Sequence, residues 1–314
     1  MPPQGNKDTS MKFDPSAFSP KTFDYELLDS GHSRKLERFG EHRFIRPAGL
    51  AVWPPSLPES EWKTARGEYR YYRGSKQSAS GEWKYGAGKG APRLPEDGWS
   101  LRFRHLTFQV KPTPFGHLGL FPEQAPNWVW IGEQVERHPQ REVNVLNLFG
   151  YTGASTLAAS AAGARVTHLD ASKSALTWAR TNHELSGLGG RPVRWILDDA
   201  LKFLQREHRR KNLYDAIVMD PPSFGRGPKG EVWKIENTMG ELLSLCQSVL
   251  TPRPLFFLMT THTPGFSSLT LRNMIRKYIP STGRGHFESG ELFLPEVRGD
   301  VHLPSGFYSR WSVE

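Results

Sequence analysis

The sequence lacks the features that define several large classes of protein. It has a single cysteine among 314 residues, which excludes a disulfide scaffold and a cysteine-rich zinc module. No apolar run approaches the roughly 18 to 20 residues that cross a bilayer, and residues 1–18 contain no apolar core of a signal peptide. The 11 histidines show no metal-ligand spacing. We therefore expect a cytoplasmic protein with neither a membrane partner nor a bound metal.

The excess of positive charge is confined to two stretches. The chain carries 41 Lys and Arg against 32 Asp and Glu, a formal charge of +9. Residues 61–93 hold eight basic and three acidic side chains, and residues 201–211 hold five and one, so the rest of the chain is balanced. A localised excess of this kind favours a polyanionic partner.

The chain divides by pattern into three parts. Residues 1–22 are polar and proline-rich without periodicity, so we expect a mobile tail. Short aromatic and β-branched runs broken by Gly, Pro and Ser predict a small β-rich domain over residues 23–115, with substrate presentation as one role for it. From residue 116 to residue 314, apolar runs alternate with amphipathic segments, which predicts an α/β, doubly wound, Rossmann-like sheet of mostly parallel strands. Residues 291–313 predict a terminal antiparallel hairpin of that sheet.

Ligands of such a sheet bind where the carboxyl ends of the strands meet the following helices. The first apolar run ends near Asn147 and leads into the loop 149–153, Phe-Gly-Tyr-Thr-Gly. Its GxxG spacing lacks the third glycine of a dinucleotide site, which disfavours a nicotinamide oxidoreductase. The aromatic residues of this loop suit a ligand with a cationic centre, because aromatic faces attract cations.

The next two apolar runs end in carboxylates. Asp170 lies 20 residues after Gly150, a position from which a carboxylate can accept both hydroxyls of a ribose. Asp198 and Asp199 end the third run, where a carboxylate could accept the exocyclic amine of adenine. These two strand ends together fit a ligand that contains adenosine.

The fourth apolar run ends at Asp220, which is followed by Pro221, Pro222 and, after one serine, Phe224. The prolines remove two backbone donors and stiffen the loop, leaving carbonyl oxygens and the Asp220 carboxylate as fixed acceptors. Such a loop beside an aromatic ring can hold a planar, amino-bearing base. Taken singly, each of these motifs has a structural explanation, as a turn, a helix cap or a loop. Their order on four successive strands is what indicates a site.

In this order, the motifs resemble those of class I S-adenosylmethionine-dependent methyltransferases. They are most similar to the group that contains the bacterial 23S ribosomal RNA large-subunit methyltransferases. The resemblance covers about residues 116–314 and rests on GHLGLFPEQAPNW (116–128), NLFGYTGAS (147–155), HLDASKSALTWARTNHELSG (168–187), DDALKFL (198–204) and DPPSFGRG (220–227).

The resemblance implies S-adenosyl-L-methionine as the cofactor and a site built from these motifs. It implies that Asp220, Pro221 and Pro222 face the reacting methyl group, and we expect Phe224 to stack on the acceptor. The residues assigned to the cofactor are Glu123, Gln124, Asn147, Phe149, Tyr151, Thr152, Gly153, Asp170, Ser172, Asp198, Asp199, Ala200 and Asp220.

The acceptor atom stays open. Transfer to cytosine C5 needs a cysteine nucleophile, and the one cysteine, Cys246, lies in the apolar helical run ELLSLCQSVL. A lone cysteine in such a run is typical of a hydrophobic core. The sequence therefore argues against cytosine C5.

RNA is the expected substrate, because the resemblance implies it and because residues 61–93 interleave tyrosine and tryptophan with arginine and lysine. Basic groups contact phosphates and aromatic rings stack on unpaired bases, so we assign Arg70, Arg73 and Lys76 to RNA. The same aromatic residues could instead form the core of the small domain. In residues 201–211, basic side chains at the carboxyl end of a helix complement its dipole without any partner.

Three functions stay open on the sequence alone. The first is a methyltransferase that acts on RNA, with a ribosomal RNA base as the expected acceptor. The second is a methyltransferase that acts on a protein or a small molecule. The third is a non-catalytic RNA-binding module of the same fold. The oligomeric state is open too, an oligomer included.

Overall fold

A computed structural model of the protein describes residues 15–72, 81–86, 94–279 and 285–313. Its first part is a five-stranded sheet whose strands follow one another in sequence order. The pairs are antiparallel except for the third and fourth strands, which pair in parallel over two residues. The elements of this part are a 3-10 helix (Pro15–Phe18), β1 (Tyr25–Gly31), β2 (Arg34–Phe39), β3 (His42–Pro47), α1 (Glu59–Trp62), β4 (Gly67–Tyr71), β5 (Gly81–Tyr85) and the separate hairpin of β6 (Trp99–Phe103) and β7 (Leu106–Val110).

The second part is a seven-stranded sheet flanked by helices. Its elements are a 3-10 helix (Pro122–Gln124), α2 (Ala125–Glu136), β8 (Asn144–Leu148), α3 (Ala154–Ala161), β9 (Arg165–Asp170), α4 (Lys173–Leu185), β10 (Val193–Leu197), α5 (Ala200–Arg210), β11 (Ala216–Met219), the small hairpin of β12 (Phe224–Arg226) and β13 (Val232–Lys234), α6 (Ile235–Val249), β14 (Phe256–Thr261), α7 (Ser268–Tyr278), β15 (His286–Pro295) and β16 (His302–Ser312).

The order of strands in the large sheet is β10-β9-β8-β11-β14-β16-β15. The first five strands pair in parallel, and β16 and β15 continue the sheet as an antiparallel hairpin. The predicted α/β class, with its mostly parallel Rossmann-like sheet, its terminal antiparallel hairpin and a β-rich amino-terminal part, is therefore confirmed. Strand order reverses between β8 and β11, and this is where sheets of this kind bind ligands.

Burial explains why these segments form strands and helices. All four residues of β11 and all six of β14 are buried, as is usual for parallel strands covered by helices on both faces. The helices begin at side-chain caps where the sequence offers them. Ser172, Asp199 and Ser267 each accept a hydrogen bond from a backbone N–H in the first turn of α4, α5 and α7.

The two sheets share one hydrophobic core. The same cluster of buried side chains contains Tyr25 and Phe103 of the amino-terminal part and Val145 and Phe256 of the large sheet. Hydrogen bonds join β7 to α4, since Asn182 Oδ1 accepts from the Gln109 backbone N–H at 2.8 Å. The predicted boundary at residues 115 and 116 therefore separates two folding patterns within a continuous core.

Part of the predicted tail lies within the described residues. Ala17, in the first 3-10 helix, is fully buried, and the Phe18 ring lies 6.5 Å from that of Phe23. Residues 15–22 thus pack on the β-rich part because they carry apolar side chains. Residues 1–14 of that predicted segment lie outside the described residues.

Candidate active site

A cleft of about 600 Å³ lies at the carboxyl ends of the parallel strands. A smaller cavity of about 60 Å³ shares four lining residues with it, namely Phe121, Phe149, Tyr151 and Asp220, so the two are continuous. The segments after β8, β9, β10, β11 and β14 all contribute to its walls. The fold thus brings the predicted strand ends to one place.

Most of the residues predicted for the site line this continuous space. The cleft is lined by Phe149, Tyr151, Asp170, Ser172, Asp198, Asp199, Ala200, Asp220, Pro221 and Pro222. The smaller cavity adds Gln124, Asn147, Thr152 and Gly153. Glu123 and Phe224 are not among the lining residues; Glu123 is buried, and Phe224 is exposed.

The glycine loop after β8 has an unusual backbone. Phe149 and Tyr151 have positive φ angles of 57° and 47°, and Gly153 has one of 93°. Non-glycine residues rarely adopt this region, and such residues are concentrated at functional sites. Gly150 lies so close to His168 that a Cβ atom on it would stand 2.4 Å from the imidazole ring. The loop is therefore a tight turn in which two aromatic residues take the left-handed conformation.

A buried polar network holds this loop from below. The Asn147 side-chain amide donates to Thr156 Oγ1 at 2.9 Å, and Thr156 Oγ1 lies 2.8 Å from His168 Nδ1. Burial lowers the pKa of His168 to about 3, so this imidazole is neutral. Thr152 Oγ1 donates to the Gly119 carbonyl at 2.6 Å, which attaches the loop to the segment 116–124. The Asn147 side-chain N–H is therefore used in a hydrogen bond within the protein.

Asp170, at the end of β9, is held by two backbone donors. Its Oδ2 accepts from the Tyr151 N–H and its Oδ1 from the Ser172 N–H, both at 2.8 Å. Burial raises the pKa of Asp170 in spite of these two bonds. The carboxylate therefore has a fixed orientation between the glycine loop and the start of α4.

The two carboxylates after β10 also have protein partners. Asp198 forms an ion pair with Arg206 and accepts from the Asp199 N–H at 2.9 Å. Asp199 caps α5 by accepting from the Lys202 N–H at 3.0 Å through Oδ1. The Asp199 side chain thus serves as a helix cap at the same time as it lines the cleft.

The Asp-Pro-Pro loop after β11 is fixed by neighbouring side chains. The Trp233 indole N–H donates to the Pro222 carbonyl at 2.5 Å, which attaches the loop to β13. Ser223 Oγ lies 2.8 Å from Thr263 Oγ1, which joins the loop to the residues after β14. Phe224 begins β12 and is 54% exposed. The stacking of Phe224 on the acceptor stays a prediction.

His262 is the main residue of the site that the sequence analysis missed. It follows β14 and lines the cleft, with Nε2 3.2 Å from Glu123 Oε1 and Nδ1 3.6 Å from Asp220 Oδ1. Burial alone would lower the pKa of His262, but the charges of Asp220 and Glu123 outweigh it and raise the pKa to about 10. His262 is therefore an imidazolium that faces one carboxylate with each nitrogen.

The same cluster continues into the protein through Gln124. Its side-chain N–H lies 3.4 Å from Asp220 Oδ2 and 3.2 Å from Thr260 Oγ1. Gln124 Oε1 in turn accepts from the Asn127 amide at 2.9 Å, and Asn127 Oδ1 accepts from Arg310 at 3.3 Å. Asp220 is thus positioned by side chains from both sides. The signal in the sequence was a histidine directly after a buried strand, and its partner at position 123 is 139 residues away.

Of the residues predicted to contact RNA, Arg70 lies within the described part of the chain, in the five-stranded sheet. Arg70 is in β4, exposed, and paired with Glu68 at 2.5 Å. Arg73 and Lys76 lie outside the described residues. Of the neighbouring aromatic residues, Tyr69 is buried, whereas Tyr71 and Tyr85 are about half exposed, at 55% and 52%. Some aromatic rings of this stretch therefore belong to the core, and others lie on the surface.

Neither a metal-binding cluster nor a membrane-spanning helix is present among the described residues. Within residues 15–72, 81–86, 94–279 and 285–313, no group of three or more His, Cys, Asp or Glu side chains is placed to hold a metal ion. No helix in those ranges has the length and apolar character to span a membrane. Cys246 is in α6 and fully buried in the core, as predicted, and burial raises the pKa of its thiol.

Comparison with known proteins gives three findings. A family model described as S-adenosylmethionine-dependent methyltransferase matches residues 61–250. A solved structure of a methyltransferase of this type from Agrobacterium tumefaciens is 37% identical, with a TM-score of 0.85 and coverage of 93% of this chain and 91% of that one. The ribosomal RNA large subunit methyltransferase K/L of Hahella chejuensis is 36% identical over 147 residues, which are 46% of this chain and 19% of that protein. The chain thus spans about a fifth of the length of that relative.

Proposed function

Because the chain belongs to the family of S-adenosylmethionine-dependent methyltransferases, we propose that it transfers a methyl group from S-adenosylmethionine to a base of RNA. The single observation that carries the choice of substrate is the similarity to curated relatives named ribosomal RNA large subunit methyltransferase K/L. The similarity covers 46% of this chain, and the substrate is carried over from it.

The cleft has the chemistry that this cofactor requires. Asp170 is a fixed acceptor suited to the two hydroxyls of a ribose, and Asp199 keeps Oδ2 for the amine of adenine. The rings of Phe149 and Tyr151 stand on the wall between Asp170 and Asp220, where a sulfonium would benefit from aromatic faces. We assign the glycine loop and the ends of β9 and β10 to the cofactor on this basis.

Asp220 is the main side chain on the part of the cleft that we assign to the acceptor base. When bound, S-adenosylmethionine supplies a methyl group already activated on sulfur, so the protein has to align the acceptor and exclude water. His262 and Gln124 hold the Asp220 carboxylate in one orientation. Since both nitrogens of His262 face carboxylates, His262 is a donor and not a general base. Asp220 is then the group that accepts a hydrogen bond, or a proton, from the acceptor base.

The experiment is incubation of the purified protein with tritiated S-adenosylmethionine and total RNA that lacks the modification, followed by nucleoside analysis. We expect label in one base of the RNA fraction, and none with Asp220→Ala. Label in protein or in small molecules would contradict the RNA substrate and favour the second function. Cofactor and RNA binding without any transfer would favour a non-catalytic RNA-binding module.

A further inference from the structure

The small hairpin of β12 and β13 stands at the mouth of the cleft and has two different faces. In its register Phe224 pairs with Lys234, Gly225 with Trp233, and Arg226 with Val232. Side chains at alternate positions point to opposite faces of a strand. Trp233 is accordingly buried, while the residues of the other face are exposed, namely Phe224, Arg226, Val232 and Lys234.

The inner face fixes the hairpin to the site. Trp233 lines the cleft, donates to the Pro222 carbonyl and lies 5.1 Å from the ring of Phe149 in the glycine loop. The Ser223 carbonyl accepts from the Ile235 N–H at 3.1 Å, which ties the two ends of the hairpin together. A ligand on the outer face would therefore stand at a fixed position relative to Asp220.

The outer face combines an exposed aromatic ring with positive charge. Residues 224–234 contain three basic side chains, Arg226, Lys229 and Lys234, and one carboxylate, Glu231. Glu231 is paired with Lys202 of α5 at 2.5 Å, so its charge is compensated from outside the hairpin. The next carboxylate in sequence, Glu236, is in the first turn of α6, where it complements the helix dipole.

Exposed cations beside an exposed ring match a single-stranded nucleic acid. Phosphates are attracted by the basic groups, and an unpaired base stacks on the aromatic face. Phe224 is 54% exposed and Val232 is 57% exposed, so both are apolar surface that a base could cover. Arg226 is on the outer face and is also one of the residues that line the cleft, so the outer face adjoins the cleft.

We propose that this outer face binds the unpaired RNA next to the acceptor nucleotide, with Phe224 stacked on a flanking base and Arg226 and Lys234 on phosphates. The assignment rests on the proposed RNA substrate. In this proposal Phe224 acts on the exposed face of the hairpin and not among the residues that line the cleft.

The test measures binding of an unstructured RNA of 12 nucleotides by fluorescence anisotropy at several salt concentrations. We expect Phe224→Ala to weaken binding about tenfold without changing the salt dependence, since it removes stacking and no charge. The double variant Arg226→Ala/Lys234→Ala should weaken binding and reduce the slope of log Kd against log salt by about 1.4, that is about 0.7 for each phosphate contact on a single strand.

The matched control removes two exposed cations at the opposite edge of the sheet, with Arg209→Ala/Arg253→Ala. Arg209 is in the last turn of α5 and Arg253 precedes β14, so both stand near the amino ends of the strands. The control should bind RNA within about twofold of the wild type. Heparin, a polyanion without bases, separates stacking from charge, and its binding should be unaffected by Phe224→Ala. Melting temperature and cofactor affinity show that each variant is folded.

Two results would overturn the inference alone, and a third would overturn the proposed function with it. Hairpin variants that bind and methylate RNA as the wild type does would leave the proposed function standing and remove the hairpin from it. A control that loses as much RNA affinity as the hairpin variants would show that only total charge matters. A wild type that neither binds nor methylates RNA would remove both the proposed function and this inference.

Discussion

The two sides of the cleft are built in different ways. The side assigned to the cofactor comes from consecutive strand ends, where Asp170 accepts hydrogen bonds from two backbone N–H groups and the loop 149–153 has positive φ angles. The side assigned to the acceptor is assembled from three distant segments that bring Glu123, Asp220 and His262 together. One side is a backbone cradle and the other is a cluster of charges. Variants on the cofactor side should therefore change cofactor affinity, and variants on the acceptor side should change kcat.

The largest effect is expected for Asp220→Ala. Loss of the acceptor carboxylate should lower kcat by roughly 10²- to 10⁴-fold, the range typical of a positioned acid–base group. The measurement is tritium transfer at saturating cofactor and RNA. The conservative variant Asp220→Asn, which keeps the shape and one acceptor oxygen, should retain more activity. Equal activity of Asp220→Ala and the wild type would remove Asp220 from the reaction.

The opposite side should respond through binding. Asp170→Asn should weaken cofactor affinity by about 10- to 100-fold, because hydrogen bonds to a charged group contribute about 1.5 to 3 kcal/mol. At saturating cofactor its kcat should stay within a few fold of the wild type. Isothermal titration calorimetry measures the affinity, with Asp300→Asn, an exposed carboxylate between β15 and β16, as the control. Unchanged affinity would contradict the assignment of Asp170.

His262 makes the charge cluster sensitive to pH. Its pKa is about 10 in the folded protein against an ordinary value of 6.5, so the protonated form is stabilised by folding. That contribution is complete below about pH 6.5 and is lost as the pH rises toward 10. The difference in free energy of unfolding between the wild type and His262→Gln should therefore shrink between pH 6 and pH 10.

Urea unfolding at pH 6, 8 and 10 measures this difference. The control is His208→Gln, a substitution at an exposed position of α5. A difference that is the same at all three pH values would mean that His262 is not an imidazolium held by Asp220 and Glu123.

The smallest effect is expected for the residues that the sequence assigns to RNA in the amino-terminal part. The triple variant Arg70→Ala, Arg73→Ala and Lys76→Ala should reduce RNA affinity by less than about tenfold, since Arg70 is already paired with Glu68. Its salt slope should fall by at most about 2, which corresponds to three phosphate contacts at about 0.7 each. Salt-dependent anisotropy gives both values. A loss larger than that of the hairpin variants would move the main RNA contact to the amino-terminal part.

The features that could be predicted from the sequence are those encoded locally. The apolar runs that became β8, β9, β11 and β14 were readable because parallel strands buried on both faces are continuously hydrophobic. The carboxylates at their ends followed from the rule that ligands bind there. Asp170 and Asp220 were therefore found by position alone, and both line the cleft.

The features that could not be predicted depend on contacts between distant segments. His262 is unremarkable in TTHTPGF until β14 places it between Glu123 and Asp220. Phe224 follows Asp-Pro-Pro in the sequence, but its pairing with Lys234 in the hairpin of β12 and β13 and its 54% exposure are visible only in the structure. The contribution of residues 201–211 to the net charge of +9 also depends on contacts that the sequence does not show. Lys202 forms an ion pair with Glu231, and Arg206 forms one with Asp198.

Calorimetric titration of S-adenosylmethionine into Asp220→Ala tests the division of the cleft most directly. The account predicts a Kd within about twofold of the wild type, because the cofactor is held by the glycine loop, Asp170 and Asp199. Loss of measurable binding by a folded Asp220→Ala variant would place Asp220 on the cofactor side and contradict the account.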